Sequence, residues 1–296
     1  MSEKSPPPGY HHDPDRFREA INYTASITGF GSLLIEKDYY CSLVLQDLAA
    51  FFRSGLVFKG GTCLSKVHLD FFRLSEDLDF VIPTPVTATP STRSAAVSAT
   101  RKHLASLCDR HACFKESQPL MGHNGSRQYN GTYSYRSLIT GEDEPISLEI
   151  ALREPLLQPT EQRSARTLLT DPFTQQPAFD PVEVSVLSIN EAYSEKLRAA
   201  LTRRDPAIRD FFDIDCAIRN GILNHQDASV LALVRQKLAT PGNMAIDVSP
   251  EKRENLQRQI AAQLATVLRK DDYDSFDLER AFAIVAEVAR LCSEGP

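Results

Sequence analysis

The sequence lacks any apolar run approaching the roughly 18 residues that a membrane-spanning helix needs. Membrane partners are therefore not expected. Its first stretch, MSEKSPPPGYHHDPDRF, has no apolar core of the kind a secretory signal carries. Residues 1–15 read instead as a polar, proline-rich flexible arm, and His11 and His12 as part of a solvated tail. A disulfide framework is also missing. The six cysteines, Cys41, Cys63, Cys108, Cys113, Cys216 and Cys292, are scattered, which fits reduced thiols in a cytoplasm. His103, Cys108, His111 and Cys113 lie close in sequence but do not recur at steps of three or four, so no zinc site is expected from them. There is no excess of positive charge. A formal net charge of −6 argues against a protein that coats nucleic acid nonspecifically, while leaving room for a local basic patch. No internal repeat is present.

What is present is the composition of a soluble globular chain, with 42% hydrophobic and 24% charged residues over 296 positions. That length suits one large or two ordinary domains. Residues 15–54 read as helical, with a glycine stop after the first segment. LVFK (56–59) reads as a short buried strand running into Gly60-Gly61, and Thr62 as the N-cap of a short helix. LDFVI (78–82) is a second strand, closed by the loop PTPVTATPST. Residues 93–112 read as a helix, and QYNGTYSYRSL and PISLEIALRE as strands. A loop-rich stretch follows residue 153, and then a helical half. There Ser188 caps one helix, and a second carries a proline in its first turn and Gly221 at its end. The expected fold class is α+β (mixed α/β). A catalytic domain would span 16–155 and a mainly helical domain 156–296.

One block concentrates the chemistry: FKGGTCLSKVHLDFFRLSEDLDFVI, residues 58–82. Side chains alternate along a strand, so Asp77 and Asp79 share a face while Leu78 and Phe80 point to the core. Two carboxylates on one face repel unless a cation lies between them. Magnesium, held by one or two carboxylates plus phosphate oxygens, suits that pair. The Gly60-Gly61 turn lets backbone approach a ligand, and the following helix offers free N–H groups to phosphate. In PISLEIALRE, Ile146, Leu148, Ile150 and Leu152 line one face, and Glu149 stands on the other between Ser147 and Ala151. A carboxylate there needs an ion pair, with Arg153 for instance, or a metal. The Asp pair favours the metal or base role.

The ordered set of strand, Gly-Gly, helix, Asp-x-Asp strand and Glu strand is the layout of the DNA polymerase β-like nucleotidyltransferases. KGGTCLSKVHLDFFRLSEDLDF further resembles the signature block of the AbiEii/AbiGii-type toxin nucleotidyltransferases, which include the MenT toxins. Lys59, Gly60, Gly61, Thr62, Lys66, Arg73, Ser75, Asp77 and Asp79 match it in order. EKLRAALTRRDPAIRDFFDI resembles the family's second block, a lysine helix followed by an Arg-Asp-x-x-Asp helix. One departure is the third acid, Glu149, where many polymerase β relatives carry aspartate.

The resemblance implies a cytoplasmic toxin of a bacterial toxin–antitoxin or phage-defence pair. It would transfer nucleotides from an NTP to an RNA acceptor, with tRNA 3′ ends as known acceptors in the family, and a cognate antitoxin would neutralise it. Asp77, Asp79 and Glu149 would hold Mg²⁺ ions, or Glu149 would deprotonate the acceptor. Lys59, Gly60, Gly61, Thr62, Lys66, Arg73 and Ser75 would serve nucleotide binding. Lys196 and Arg203 would neutralise triphosphate charge, and Asp210 or Asp213 would orient Lys196. Arg198, Arg203, Arg204 and Arg209 form the candidate RNA patch. Two other readings stay open: a nucleotidyltransferase acting on a small, antibiotic-like molecule, and a non-catalytic binding module of the same fold.

Overall fold

The computed structural model describes residues 9–153 and 155–294. The chain divides into two compact units. The first holds residues 1–153 and 162–185, the second 154–161 and 186–296. The catalytic domain expected to end at residue 155 therefore also takes in a later segment, and the mainly helical domain loses it.

The first unit opens with α1 (Pro14–Thr28). The Asp13 carboxylate caps it by accepting from Arg16 N at 3.1 Å. Gly29, at φ 77°, ends it in the left-handed conformation that glycine adopts freely. The helix α2 (Ser32–Asp47) is buried through twelve consecutive positions, Leu34 to Leu45, including the charged triplet Glu36-Lys37-Asp38. The short α3 (Ala49–Phe52) leads into β1 (Val57–Lys59). After it come α4 (Gly60–Cys63), a π turn (Leu64–His68) and β2 (Asp77–Val81). Next are α5 (Pro90–Leu104), α6 (Leu107–Arg110), β3 (Phe114–His123), β4 (Gln128–Arg136) and β5 (Asp143–Ala151). The strands β6 (Glu161–Ala165) and β7 (Val182–Val186) complete a seven-stranded sheet of order β3-β4-β5-β2-β1-β7-β6. β2 runs parallel to β5 and antiparallel to β1, so the sheet is mixed.

The strand pattern explains the burial. Leu78, Phe80, Ile146 and Ile150 are fully buried, each contributing about 1.5–3 kcal/mol of apolar transfer. Their neighbours Asp77, Asp79 and Glu149 look out from the opposite face.

Several expectations change. Among residues 1–15, those from Gly9 onward are described, and Tyr10 is buried against Asp171 rather than lying in a free arm. Residues 1–8 of the expected arm lie outside the described part. The sequence reading did not include β3, β6 or β7. β3 is exposed along most of its length, so no alternation marks it. β7 does carry a period-two signal, Val182, Val184 and Val186, all buried. Thr62 is not an N-cap, because the helix already begins at Gly60.

The second unit is helical: α7 (Ile189–Thr202), α8 (Ile208–Arg219), α9 (Ala228–Leu238), α10 (Pro250–Gln259), a π turn (Ile260–Leu264), α11 (Lys270–Ser275) and α12 (Leu278–Ser293). Ser188 caps α7 by accepting from Glu191 N. Pro206 precedes α8 rather than standing in its first turn, and Gly221, at φ 68°, follows its end. Buried Glu191 accepts from the amides of Leu157 and Gln158 and from Lys237 Nζ at 2.7 Å, which pins Leu157 and Gln158 to α7. No described helix is long and apolar enough to cross a membrane.

Candidate active site

Gly60 follows the last residue of β1 and stands at φ 75°. A Cβ there would meet Asp79 Oδ2 at 2.1 Å, so the Asp79 side chain occupies the space that any other residue would need. At Gly61 a Cβ would meet Arg73 Nη2 at 2.4 Å and Ser75 Oγ at 3.1 Å. Both glycines are thus required by close approach, Gly60 to the acid pair and Gly61 to the loop leading into it.

The acids stand in register. Asp79 pairs with Lys59 on one side and Glu149 on the other, and Glu149 pairs in turn with Asn130 of β4. Directly paired residues point to one face, so Lys59, Asp79, Glu149 and Asn130 form a polar row across four strands. Asp77 stands one pleat away, paired with Ser147. Gln128 Nε2 donates to Glu149 Oε2 at 2.8 Å, which holds that carboxylate out of the core. The Asn130 Oδ1 is buried with no hydrogen-bond partner. A buried amide oxygen without a donor is costly unless the site supplies one. Neither Asn130 nor Gln128 was singled out from sequence. Their signal was faint: polar residues on one face of a strand whose alternate positions, Tyr129, Gly131 and Tyr133, are buried.

These residues fit magnesium: hard carboxylate oxygens, with a partnerless amide oxygen in the same row. Among the described residues no three His, Cys, Asp or Glu side chains are gathered closely enough to cage a metal by themselves. Magnesium commonly takes one or two carboxylates and fills the rest of its shell with substrate phosphate and water.

Three motif residues face elsewhere. Thr62 is buried and its hydroxyl donates to the Asp77 carbonyl at 2.5 Å, bracing the start of β2 instead of meeting phosphate. Lys66 is 1% exposed; its ammonium pairs with Asp38 Oδ1 at 2.6 Å and donates to Ser42 Oγ at 2.8 Å. Its nucleotide-binding role is replaced by a core ion pair. Arg73, 2% exposed, donates to the Leu74 carbonyl at 3.0 Å and backs onto Gly61, so it shapes the turn. Lys59 and Ser75 remain half-buried beside the glycines.

Within the second unit, α7 carries Tyr193, Leu197 and Ala200 as a buried stripe, and Lys196 flanks it. The Lys196 ammonium contacts Asp210 Oδ1 at 2.7 Å and Asp213 Oδ2 at 2.9 Å. Arg203 reaches Asp210 Oδ2 at 3.2 Å. Both aspartates, on α8, engage the lysine, where the sequence reading asked for one. Of the basic run, Arg203 and Arg204 are exposed, while Arg198 donates to Asn243 Oδ1 at 2.9 Å.

His103 and His111, once weighed for zinc, both meet Asp47, at 2.7 and 3.1 Å, beside Arg110. All six cysteines are free thiols.

The fold is shared with a solved structure. JHP933 from Helicobacter pylori superposes with a TM-score of 0.50 at 14% identity, over 90% of this chain and 94% of that one. A second H. pylori structure, described as a candidate nucleotidyltransferase, gives 0.45 at 14% identity over 93% and 95% of the two chains. No curated protein matches the sequence. The family model of the AbiEii nucleotidyl transferase toxin, type IV TA system, matches residues 43–283, which include the glycine turn, the three acids and the lysine helix. The chain belongs to the AbiEii nucleotidyl transferase toxin family.

Proposed function

We propose that this toxin-family nucleotidyltransferase transfers a nucleotidyl group from an NTP to an RNA acceptor, with the tRNA 3′ end as the preferred target, in the cytoplasm and with Mg²⁺. The observation that carries the proposal is the row Asp79–Glu149–Asn130 set directly over Gly60. Asp77 and Asp79 would hold a magnesium ion, whose chemistry there would be to offset the charge of the triphosphate. The chain's own contributions are positional. Gly60 and Gly61 let backbone N–H groups approach the phosphates. The acceptor hydroxyl attacks the α-phosphorus, the bond to the β-phosphate oxygen breaks, and pyrophosphate leaves. Glu149, one oxygen held by Gln128, accepts the hydroxyl proton on the other. Lys196, oriented by Asp210 and Asp213, supplies positive charge to the triphosphate. A cognate antitoxin follows from membership of a toxin–antitoxin family.

The test is incubation with each labelled NTP, magnesium and total RNA, using wild type, Asp77→Ala and Asp79→Ala. Labelled RNA from the wild type alone is expected, with both variants folded and their rates down by several powers of ten. Label on a small molecule with none on RNA would replace the RNA acceptor with the antibiotic-type reading. A fully active Asp79→Ala would remove the metal assignment.

A further inference from the structure

Among the described residues the Asn130 Oδ1 is buried without a hydrogen-bond partner, although Asn130 pairs in register with Glu149 on one side and Met121 on the other. An amide oxygen only accepts, and so does a carboxylate. Asn130 and Glu149 therefore set two acceptors side by side on neighbouring strands, with Cβ atoms about 4.5–5.5 Å apart in such a pair. The ligand that completes them carries two adjacent donors.

The strand order places that ligand. β1, β2, β5 and β4 stand side by side in that order, so the row runs Lys59, Asp79, Glu149, Asn130. The glycine turn lies at the first end, against Asp79. Asn130 lies at the other, two strand spacings or about 10 Å from Asp79, with Glu149 between them. The residues that flank Asn130 on the same face of β4 are neutral: Gln128, opposite Ala151, and Thr132, opposite Ser147. A phosphate finds no cation among these three side chains. A divalent ion at Asn130 has one carboxylate in register, Glu149, where Asp77 and Asp79 offer two. A pair of neighbouring hydroxyls finds an acceptor for each proton.

We propose that Asn130 reads the sugar at the end of the acceptor: it accepts a hydrogen bond from the 2′-hydroxyl of a 3′-terminal ribose while Glu149 takes the proton of the 3′-hydroxyl. This rests on the nucleotidyl-transfer reading above. The 3′-oxygen bonds to the α-phosphorus, the bond to the β-phosphate oxygen breaks, and pyrophosphate leaves with that electron pair. The 2′-hydroxyl keeps its proton throughout. An asparagine amide turns about a broad, two-fold torsion. No bond fastens the Asn130 oxygen among the described residues, so the amide is free to turn it towards an arriving donor. The 2′-hydroxyl is the group by which a protein tells RNA from DNA, and the acceptor class is therefore a polynucleotide that ends in ribose.

The experiment compares wild type and Asn130→Ala with magnesium, each of the four labelled NTPs and three RNA acceptors that differ only in the last sugar: ribose, 2′-deoxyribose and 2′-methoxyribose. The third keeps the oxygen but has no proton to donate. With wild type, both altered ends should be extended roughly tenfold more slowly than the ribose end. With Asn130→Ala, the ratio of ribose to deoxyribose rates should fall towards one. Thermal melts check folding, and Mn²⁺ binding followed by electron paramagnetic resonance checks the metal. A wild type that extends all three ends equally would overturn the proposal with no variant needed. So would a 2′-methoxy end extended as fast as ribose. An Asn130→Ala variant that slows ribose and deoxyribose ends by one common factor would make Asn130 a support for Glu149 and also overturn it. Weakened Mn²⁺ binding in that variant would assign the oxygen to a metal instead. If wild type extends none of the three ends with any NTP, transfer to RNA itself falls, and the role of Asn130 falls with it.

Discussion

The Asp79 carboxylate lies over Gly60 so closely that a methyl group on residue 60 would stand 2.1 Å from its Oδ2. The glycine turn and the metal-type acid are therefore one device. The missing side chain of the first makes room for the second.

Gly60→Ala should consequently damage both stability and activity. The φ of 75° alone costs an alanine on the order of 1–2 kcal/mol, and the collision with Asp79 adds to it. A lowered melting temperature together with loss of nucleotide incorporation is the expected result. A variant with wild-type turnover would show that Asp79 is free to move.

Lys196 raises the question of support versus chemistry. Asp213 is completely buried, so Lys196→Ala leaves its charge without that partner, a change of the kind that costs about 3–5 kcal/mol. Adding Asp213→Asn should return much of the stability. If Lys196 binds triphosphate, the double variant melts near wild type but still incorporates nucleotide at least roughly tenfold more slowly. Recovery of activity along with stability would reduce Lys196 to a structural lysine.

Lys66 should behave in the opposite way. Its ammonium is committed to Asp38 and Ser42 inside the first unit. Lys66→Met is expected to lower stability by a few kcal/mol, about what breaking a buried pair costs. Triphosphate affinity of the folded fraction should stay unchanged, as read by denaturant titration beside calorimetry. A selective loss of affinity would return Lys66 to the nucleotide.

His11 gives the molecule a mild acid sensitivity. Burial, with the nearby charges of His12 and His111, pushes its pKa down from 6.5 to about 4. The unfolded chain therefore takes up the proton first. Stability contributed by neutral His11 is intact above pH 6.5 and is lost as pH falls towards 4. His11→Gln should flatten the melting temperature across that window, measured in steps between pH 7 and pH 4. An unchanged pH profile would place the sensitivity on other groups.

Local physics accounts for what could be read in the one-dimensional chain. Alternation set Asp77 and Asp79 on one face and Leu78 and Phe80 on the other, because a strand has period two whatever surrounds it. Ser188, Tyr193 and Leu197 declared a capped helix with an apolar stripe for the same reason. The Gly-Gly turn, the acids and the lysine helix, taken in order, also carried the family. Tertiary structure decided what these local rules cannot reach. Whether a lysine serves a ligand or the core depends on what lies across from it, and Lys66, a motif residue, met Asp38 from a helix 28 positions earlier. Asn130 joined the acid row because β4 pairs with β5 in one register out of several that hydrophobic alternation permits. The strand β6 entered the sheet of the first unit from a stretch that reads as loop, because an extended segment becomes a strand when a neighbouring edge offers it hydrogen bonds. Lys37, hidden in a helix that sequence alone assigns to the core, was set beside Glu76 by packing between segments 39 residues apart.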